Sequence, residues 1–316
     1  MTQYMEEKLL CGWQAKGDTL SRFTQRQYDI YRRSNLSSVA EINRTSGMKL
    51  DFITGEAEIA FSFTCRDFLR GRVCFDIYED GIYRQTAVFP DHTPAGRVTY
   101  TRRSHEESRL EIYLPNSCDT SLTDLQLGQI GYSPRCSKKY IAFGDSITQG
   151  LDSEKPSVVY PTLIAREMGL ELLNQGVGGY VFDSRVIEKI PGFSPDIVTV
   201  AYGVNDCNLI LNGELSFSGT EKEAGLFFET CRRVYPEAEV IAVTPVAWSC
   251  EKRQPHRDAM RRVRDMITSL AREAGCGTAD GLRILPPNPE YFTPDGVHPN
   301  AAGFRVYAQN LLRIIG

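Results

Sequence analysis

Histidine and tryptophan are scarce, with four and two copies in 316 residues. His92, His105, His256 and His298 stand far apart, and none has the spacing that sets two ligands on one helix face or one zinc knuckle. No resident metal is therefore expected. Paired thiols are missing too. The nine cysteines (Cys11, Cys65, Cys74, Cys118, Cys136, Cys207, Cys231, Cys250 and Cys276) are odd in number, scattered and free of any C-x-x-C, which reads as reduced thiols, mostly small buried hydrophobes. Long apolar runs are absent, and stretches such as Ile197 to Ala201 are far too short to span a bilayer. The first residues lack a basic stretch followed by a long apolar one, so no signal peptide and a cytoplasmic location are expected. Neither charge sign dominates: 36 Lys+Arg face 40 Asp+Glu, which removes the electrostatic case for a nucleic-acid or anionic-membrane partner. Neither the Gly-Lys-Ser/Thr of a phosphate-binding loop nor a Gly-x-Gly-x-x-Gly occurs, and no cofactor is expected.

The chain has the composition of a folded globular protein, 41% hydrophobic and 24% charged, and length for two domains. Its two parts follow different periods. From about residue 47 to 127 apolar residues alternate with polar ones: Ile59, Phe61 and Phe63; Val73, Phe75 and Ile77; Leu110, Ile112 and Leu114. That alternation predicts antiparallel strands with one buried and one solvated face, hence a β-sandwich or jelly roll. Asp80-Gly81 predicts a hairpin turn. No stretch of this half looks strongly helical, and Trp13 is expected to pack inside it.

After about residue 138, short apolar runs replace the alternation: 140–143, 171–174, 197–201, 240–244 and 282–285. Helical stretches lie between most of them, including 161–168, 255–274 and the closing 301–315. In the second of these, Met260, Val263, Ile267, Leu270 and Ala271 form one apolar stripe. Near-continuous apolar strands alternating with helices predict an α/β layer, a five-stranded parallel sheet covered on both faces. Two domains are expected, residues 1–135 and 136–316. In such a sheet, chemistry lies just beyond the carboxyl ends of the strands.

Four segments occupy those positions or stand beside the last helix. They are Gly144-Asp145-Ser146-Ile147, Gln175-Gly176-Val177-Gly178-Gly179, Tyr202-Gly203-Val204-Asn205-Asp206 and Asp295-Gly296-Val297-His298. A serine at a strand-to-helix turn presents its hydroxyl at the sheet edge. Taken alone, each segment reads equally well as a turn, a loop or a helix cap. In this order they closely resemble the SGNH (GDSL) hydrolase superfamily.

The resemblance covers roughly residues 139–316 and implies that family's flavodoxin-like α/β/α fold. It places the nucleophile on Ser146, the base on His298 and the third triad member on Asp295. It places the oxyanion hole on Ser146, Gly179 and Asn205. The family often has Ser before the oxyanion glycine, where this chain has Gly178. Asp145 and Asp206 are expected to be supporting groups that orient nearby backbone.

An antiparallel β-domain ahead of such a layer is similar to the arrangement of two-domain, acetylxylan-esterase-like carbohydrate esterases. The resemblance implies a serine esterase for short acyl esters, most of all O-acetyl groups on a small-molecule or oligosaccharide substrate. The alternatives are a thioesterase or lipid-type acyl hydrolase of the same fold, and a carbohydrate-binding protein with a vestigial site. Trp248, Tyr180 and Tyr202, beside the catalytic strand ends, are the candidate substrate-contacting aromatics, the alternative being partial burial as loop anchors, which is the favoured reading for the two tyrosines. A homo-oligomer through the N-terminal domain is a further expectation.

Overall fold

The computed structural model describes residues 9–12, 14–16 and 19–315, and Trp13 lies outside them. The alternating half forms antiparallel strands. They are β1 (Leu10–Cys11), β2 (Gln14–Lys16), β3 (Thr19–Ser21), β4 (Lys49–Thr54), β5 (Glu58–Arg66), β6 (Val73–Glu79), β7 (Ile82–Phe89), β8 (Ala95–Thr101), β9 (Ser108–Tyr113), β10 (Asp119–Gln126) and β11 (Ile130–Tyr132). One sheet runs β1-β4-β9-β6-β7, with β11 also on β4, and a second runs β10-β5-β8. Between them Phe52, Phe61, Phe63, Phe75, Ile77, Leu110 and Ile112 fill a sandwich core. Asp80 and Gly81 join β6 to β7 with φ of 52° and 76°, the left-handed pair that a tight two-residue hairpin requires.

Two features of this half depart from the alternation. β6 is buried along its whole length, on both faces. Its second face is covered by the other half: Ser157 donates to Asp76 Oδ2 from its backbone N (2.9 Å) and its Oγ (2.6 Å), and Tyr78 Oη lies 3.0 Å from Ser157 Oγ. Helices are also present, α1 (Gln25–Arg33) and α2 (Val39–Asn43). Helix α1 starts at Thr24, which forms a reciprocal capping pair with Gln27. It shows no apolar stripe in the sequence because the side chains it buries are Gln27 and Tyr31.

The second half contains β12 (Lys138–Gly144), α3 (Ser146–Gln149), α4 (Tyr160–Met168), β13 (Leu170–Gly176), β14 (Ile197–Ala201), α5 (Val204–Leu211), α6 (Phe217–Val234), β15 (Glu239–Val243), α7 (His256–Glu273), β16 (Gly277–Ala279), α8 (Gly281–Ile284) and α9 (Ala301–Leu312). The five strands are parallel in the order β13-β12-β14-β15-β16. Counted within the sheet this is 2-1-3-4-5, the doubly wound flavodoxin-like order, and it reverses at β12, where such folds bind ligands. Apolar layers cover both faces. Phe23, Tyr31 and Ile42 belong to one of them, packed with Ile141, Phe143, Leu173 and Val198. The early helical segment is thus part of the parallel sheet's core.

The fifth strand is not where the apolar run 282–285 predicts it. Residues 277–279 pair with β15, and 281–284 form a helical turn capped by the Asp280 carboxylate. Ile284 and Leu285 are buried from that turn, against a layer that includes Phe304 and Leu311. A run of four apolar residues serves a buried helical turn as well as a strand.

Candidate active site

β12 delivers the chain to the sheet edge at Gly144. A Cβ there would collide with Thr148 Oγ1, so the turn into α3 is tight. Asp145 caps α3 by accepting from Ile147 N at 3.0 Å. Its carboxyl is buried, which pushes its pKa up to about 6. Ser146 follows as the first residue of α3, partly exposed.

The loop before α9 meets it. His298 Nε2 lies 2.8 Å from Ser146 Oγ, and His298 Nδ1 lies 2.6 Å from Asp295 Oδ2. The other oxygen of Asp295 accepts from Thr293 Oγ1 (2.8 Å), Val297 N (2.9 Å) and His298 N (3.0 Å). Burial alone would push this carboxyl up. The bonds from the His298 ring, the two backbone amides and Thr293 outweigh it and hold the group well below the usual carboxylate range. An ionised Asp295 fixes the proton on His298 Nδ1 and leaves Nε2 free to take one from Ser146.

The glycine loop after β13 flanks the serine. Gly179 has φ +74°, and a Cβ on it would stand 2.8 Å from Leu36 O. Asn205, in the first turn of α5, donates from Nδ2 to Tyr180 O at 3.0 Å. That bond ties its amide to the same loop and leaves the second N–H of the amide to spare. Asp206 accepts from Phe182 N at 3.3 Å. Burial pushes its carboxyl up to about 7. These two residues hold the 180–182 segment through hydrogen bonds at both its ends.

Residues 142–306 match the GDSL-like lipase/acylhydrolase family. The chain belongs to that family. No curated protein matches its sequence. Among solved structures, the salicylyl-acyltransferase SsfX3 from a tetracycline biosynthetic pathway superposes with a TM-score of 0.80 at 20% identity, over 97% of this chain and 93% of that one. An acetyl xylan esterase from the rumen bacterium Butyrivibrio proteoclasticus gives 0.63 at 15% identity, over 97% and 95%. A family two carbohydrate esterase from Clostridium thermocellum, in complex with cellohexaose, gives 0.63 at 14%, over 85% and 92%. Both halves of the molecule are therefore shared with these structures as a fold.

In this GDSL-like acylhydrolase the expected aromatic contacts divide. Tyr180 and Tyr202 are each 1% exposed and do not face a substrate. Tyr180 donates to Asp183 at 2.6 Å and sets its ring edge-on to Tyr31, while Tyr202 packs on Phe182 and Phe227. The apolar layer under the catalytic edge needs large side chains, and these tyrosines supply them. Trp248 is half-buried beside the site: Ser249 N donates to Gly296 O at 3.0 Å, which seats the tryptophan's loop against the Asp295–His298 loop.

Three charged residues near the site carry no motif. Glu41, from α2, ends in the space a Cβ on Gly178 would need. Asp152, in the loop after α3, places Oδ2 3.7 Å from His298 Nδ1. Arg70 comes from the sandwich, in the loop between β5 and β6, and its Nη2 reaches Asp152 Oδ2 (2.7 Å) and Asp295 Oδ2 (3.1 Å). Asp152, Asp295 and His298 converge closely enough to hold a cation, and the Arg70 guanidinium stands among them. Among the described residues, no helix is long and apolar enough to cross a membrane.

Proposed function

We propose that the protein is a serine esterase that removes short acyl groups, above all O-acetyl groups from a carbohydrate. The observation that carries this reading is the hydrogen-bonded chain Ser146–His298–Asp295 at the reversal point of the parallel sheet. In this reading His298 Nε2 takes the Ser146 proton as Oγ attacks the ester carbonyl. The oxyanion receives the backbone N–H of Ser146 and Gly179 and the spare N–H of Asn205. His298 then returns the proton to the departing alcohol. Water, activated by the same imidazole, releases the acid and restores Ser146. Likeness of the whole two-domain fold to carbohydrate esterases supports a sugar as the alcohol. The vestigial-site alternative requires Ser146 and His298 to lie out of reach, and their 2.8 Å separation weighs against it.

The test is a deacetylation screen over acetylated mono- and oligosaccharides, together with p-nitrophenyl esters of increasing chain length and a thioester panel. The expected result is acetate release that falls steeply with acyl length and disappears in Ser146→Ala. Activity confined to thioesters or long acyl chains would move the assignment to the corresponding acyl hydrolase. Transfer to an acceptor other than water is the second reading, prompted by the whole-chain likeness to an acyltransferase. Product analysis with added alcohols separates it from hydrolysis.

A further inference from the structure

The imidazole of His298 faces two carboxylates, not one. Asp295 Oδ2 lies 2.6 Å from Nδ1 and Asp152 Oδ2 lies 3.7 Å from it, the two carboxylates coming from near opposite ends of the 152-residue stretch between Ser146 and His298. Glu41 and the buried Asp145 also act on the ring through space. Among the described residues the cation in contact with it is Arg70, whose Nη2 is 2.7 Å from Asp152, 3.1 Å from Asp295 and 3.3 Å from Nδ1 itself, while Arg44 pairs with Glu41 and acts on Asp152 from farther off. Arg70 belongs to the other half of the molecule, and its side chain is 55% exposed, with no part in the sandwich core.

We propose that Arg70 is a positioning residue of the catalytic relay, by which the β-sandwich holds Asp152 away from the imidazole and leaves Asp295 as its single acceptor. This rests on the esterase reading of Ser146 and His298. The charge count explains the need. With Arg70, the two nearest carboxylates and the guanidinium sum to −1, as an isolated aspartate would. Without it they sum to −2, two like charges crowd each other, and Nδ1–H has two competing acceptors. A ring drawn toward Asp152 swings Nε2 off Ser146. The doubled negative charge also favours the imidazolium, which cannot act as a base.

The experiment is the pH profile of kcat/KM on p-nitrophenyl acetate for wild type, Arg70→Ala, Arg70→Lys, Asp152→Asn and the double variant Arg70→Ala/Asp152→Asn. Removing a unit charge at this distance in a largely solvated setting moves the acid limb by about one pH unit. Arg70→Ala is expected to move it up by about that much and to lower the neutral-pH rate at least tenfold. Arg70→Lys, which keeps the cation, should leave the limb near its wild-type position. The double variant, back at −1, should return it there. An Arg70→Ala limb that stays in place, or a double variant no different from Arg70→Ala, overturns the proposal. NMR titration of the His298 ring in the same variants reads the same displacement without turnover. If Ser146→Ala shows that the protein is no esterase, the midpoint shift still decides the role of Arg70, so the two failures remain distinct. Thermal melts of Arg70→Ala check that the exposed substitution leaves the fold intact.

Discussion

Gly178 and Gly179 are neighbours with different constraints. Gly179 sits at φ +74° with the Leu36 carbonyl against it, so any side chain meets strained backbone and a fixed carbonyl. Gly178 is blocked by the end of the Glu41 side chain, which can move. On the proposed mechanism, Gly179→Ala should therefore lower kcat/KM by about a hundredfold, through displacement of the proposed oxyanion donor. Gly178→Ala should cost only about tenfold, with most of that restored by Glu41→Ala. Steady-state kinetics on the three variants checks this; equal losses at the two glycines would contradict it.

The two buried acids give a second expectation at this scale. Burial raises Asp145 to about 6 and Asp206 to about 7. Between about pH 4 and those values, the folded chain keeps protons that the unfolded chain has released. The unfolding free energy should therefore fall as pH rises across that window, then level off. Asp206→Asn removes its share, flattening the slope by about 1 kcal/mol per pH unit. Urea titrations at several pH values measure it, and an unchanged slope would count against the assignment.

At the level of elements, the clamp on β13 is made by a buried arginine. Arg22 Nε donates to Arg44 O (2.7 Å) and Nη1 to Asn174 O and Gly176 O (2.8 Å each). It joins the segment carrying α1 and α2 to the strand end that launches the glycine loop. Arg22→Ala should cost about 3–5 kcal/mol, because it strands several buried carbonyls, and should lower activity with stability. Chemical denaturation with parallel assays tests this, and a loss below about 1 kcal/mol would refute the clamp.

The same elements show what was legible in the chain. Ser146, Gly179, Asn205 and His298 could be read because each follows its own strand or stands beside the last helix, so local spacing encodes them. The parallel sheet, apart from the position of its fifth strand, and the period-two sandwich could be read from hydrophobic pattern. The helices at 25–43 could not, since Gln27 and Tyr31 bury polar groups and make no stripe. Arg70, Asp152 and Glu41 were equally silent, because their roles depend on packing between halves. The tyrosines stood between substrate contact and burial because position at the strand ends does not reveal which way a ring turns; both are buried.

For the molecule as a whole, the boundary in pattern near residue 135 is not a boundary in packing. Phe23, Tyr31 and Ile42 complete the parallel sheet's core, and Asp76 anchors Ser157 across the seam. A chain lacking residues 1–130 should therefore be insoluble or molten rather than a smaller esterase. Circular dichroism and recovery of soluble protein decide the point; a folded, active fragment would show the halves to be independent.

The relay has a consequence for the order in which the protein comes together and apart. Ser146 and His298 close a loop of 152 residues, and Arg70 and Asp295 one of 225. Each closure carries an entropic penalty of about 4–5 kcal/mol if formed alone, so it follows the compaction of both cores. The bonds that seal the loops are few and partly exposed. In a denaturant series, turnover should vanish before either core melts, so that catalysis reports on the seam and far-ultraviolet circular dichroism on the interior.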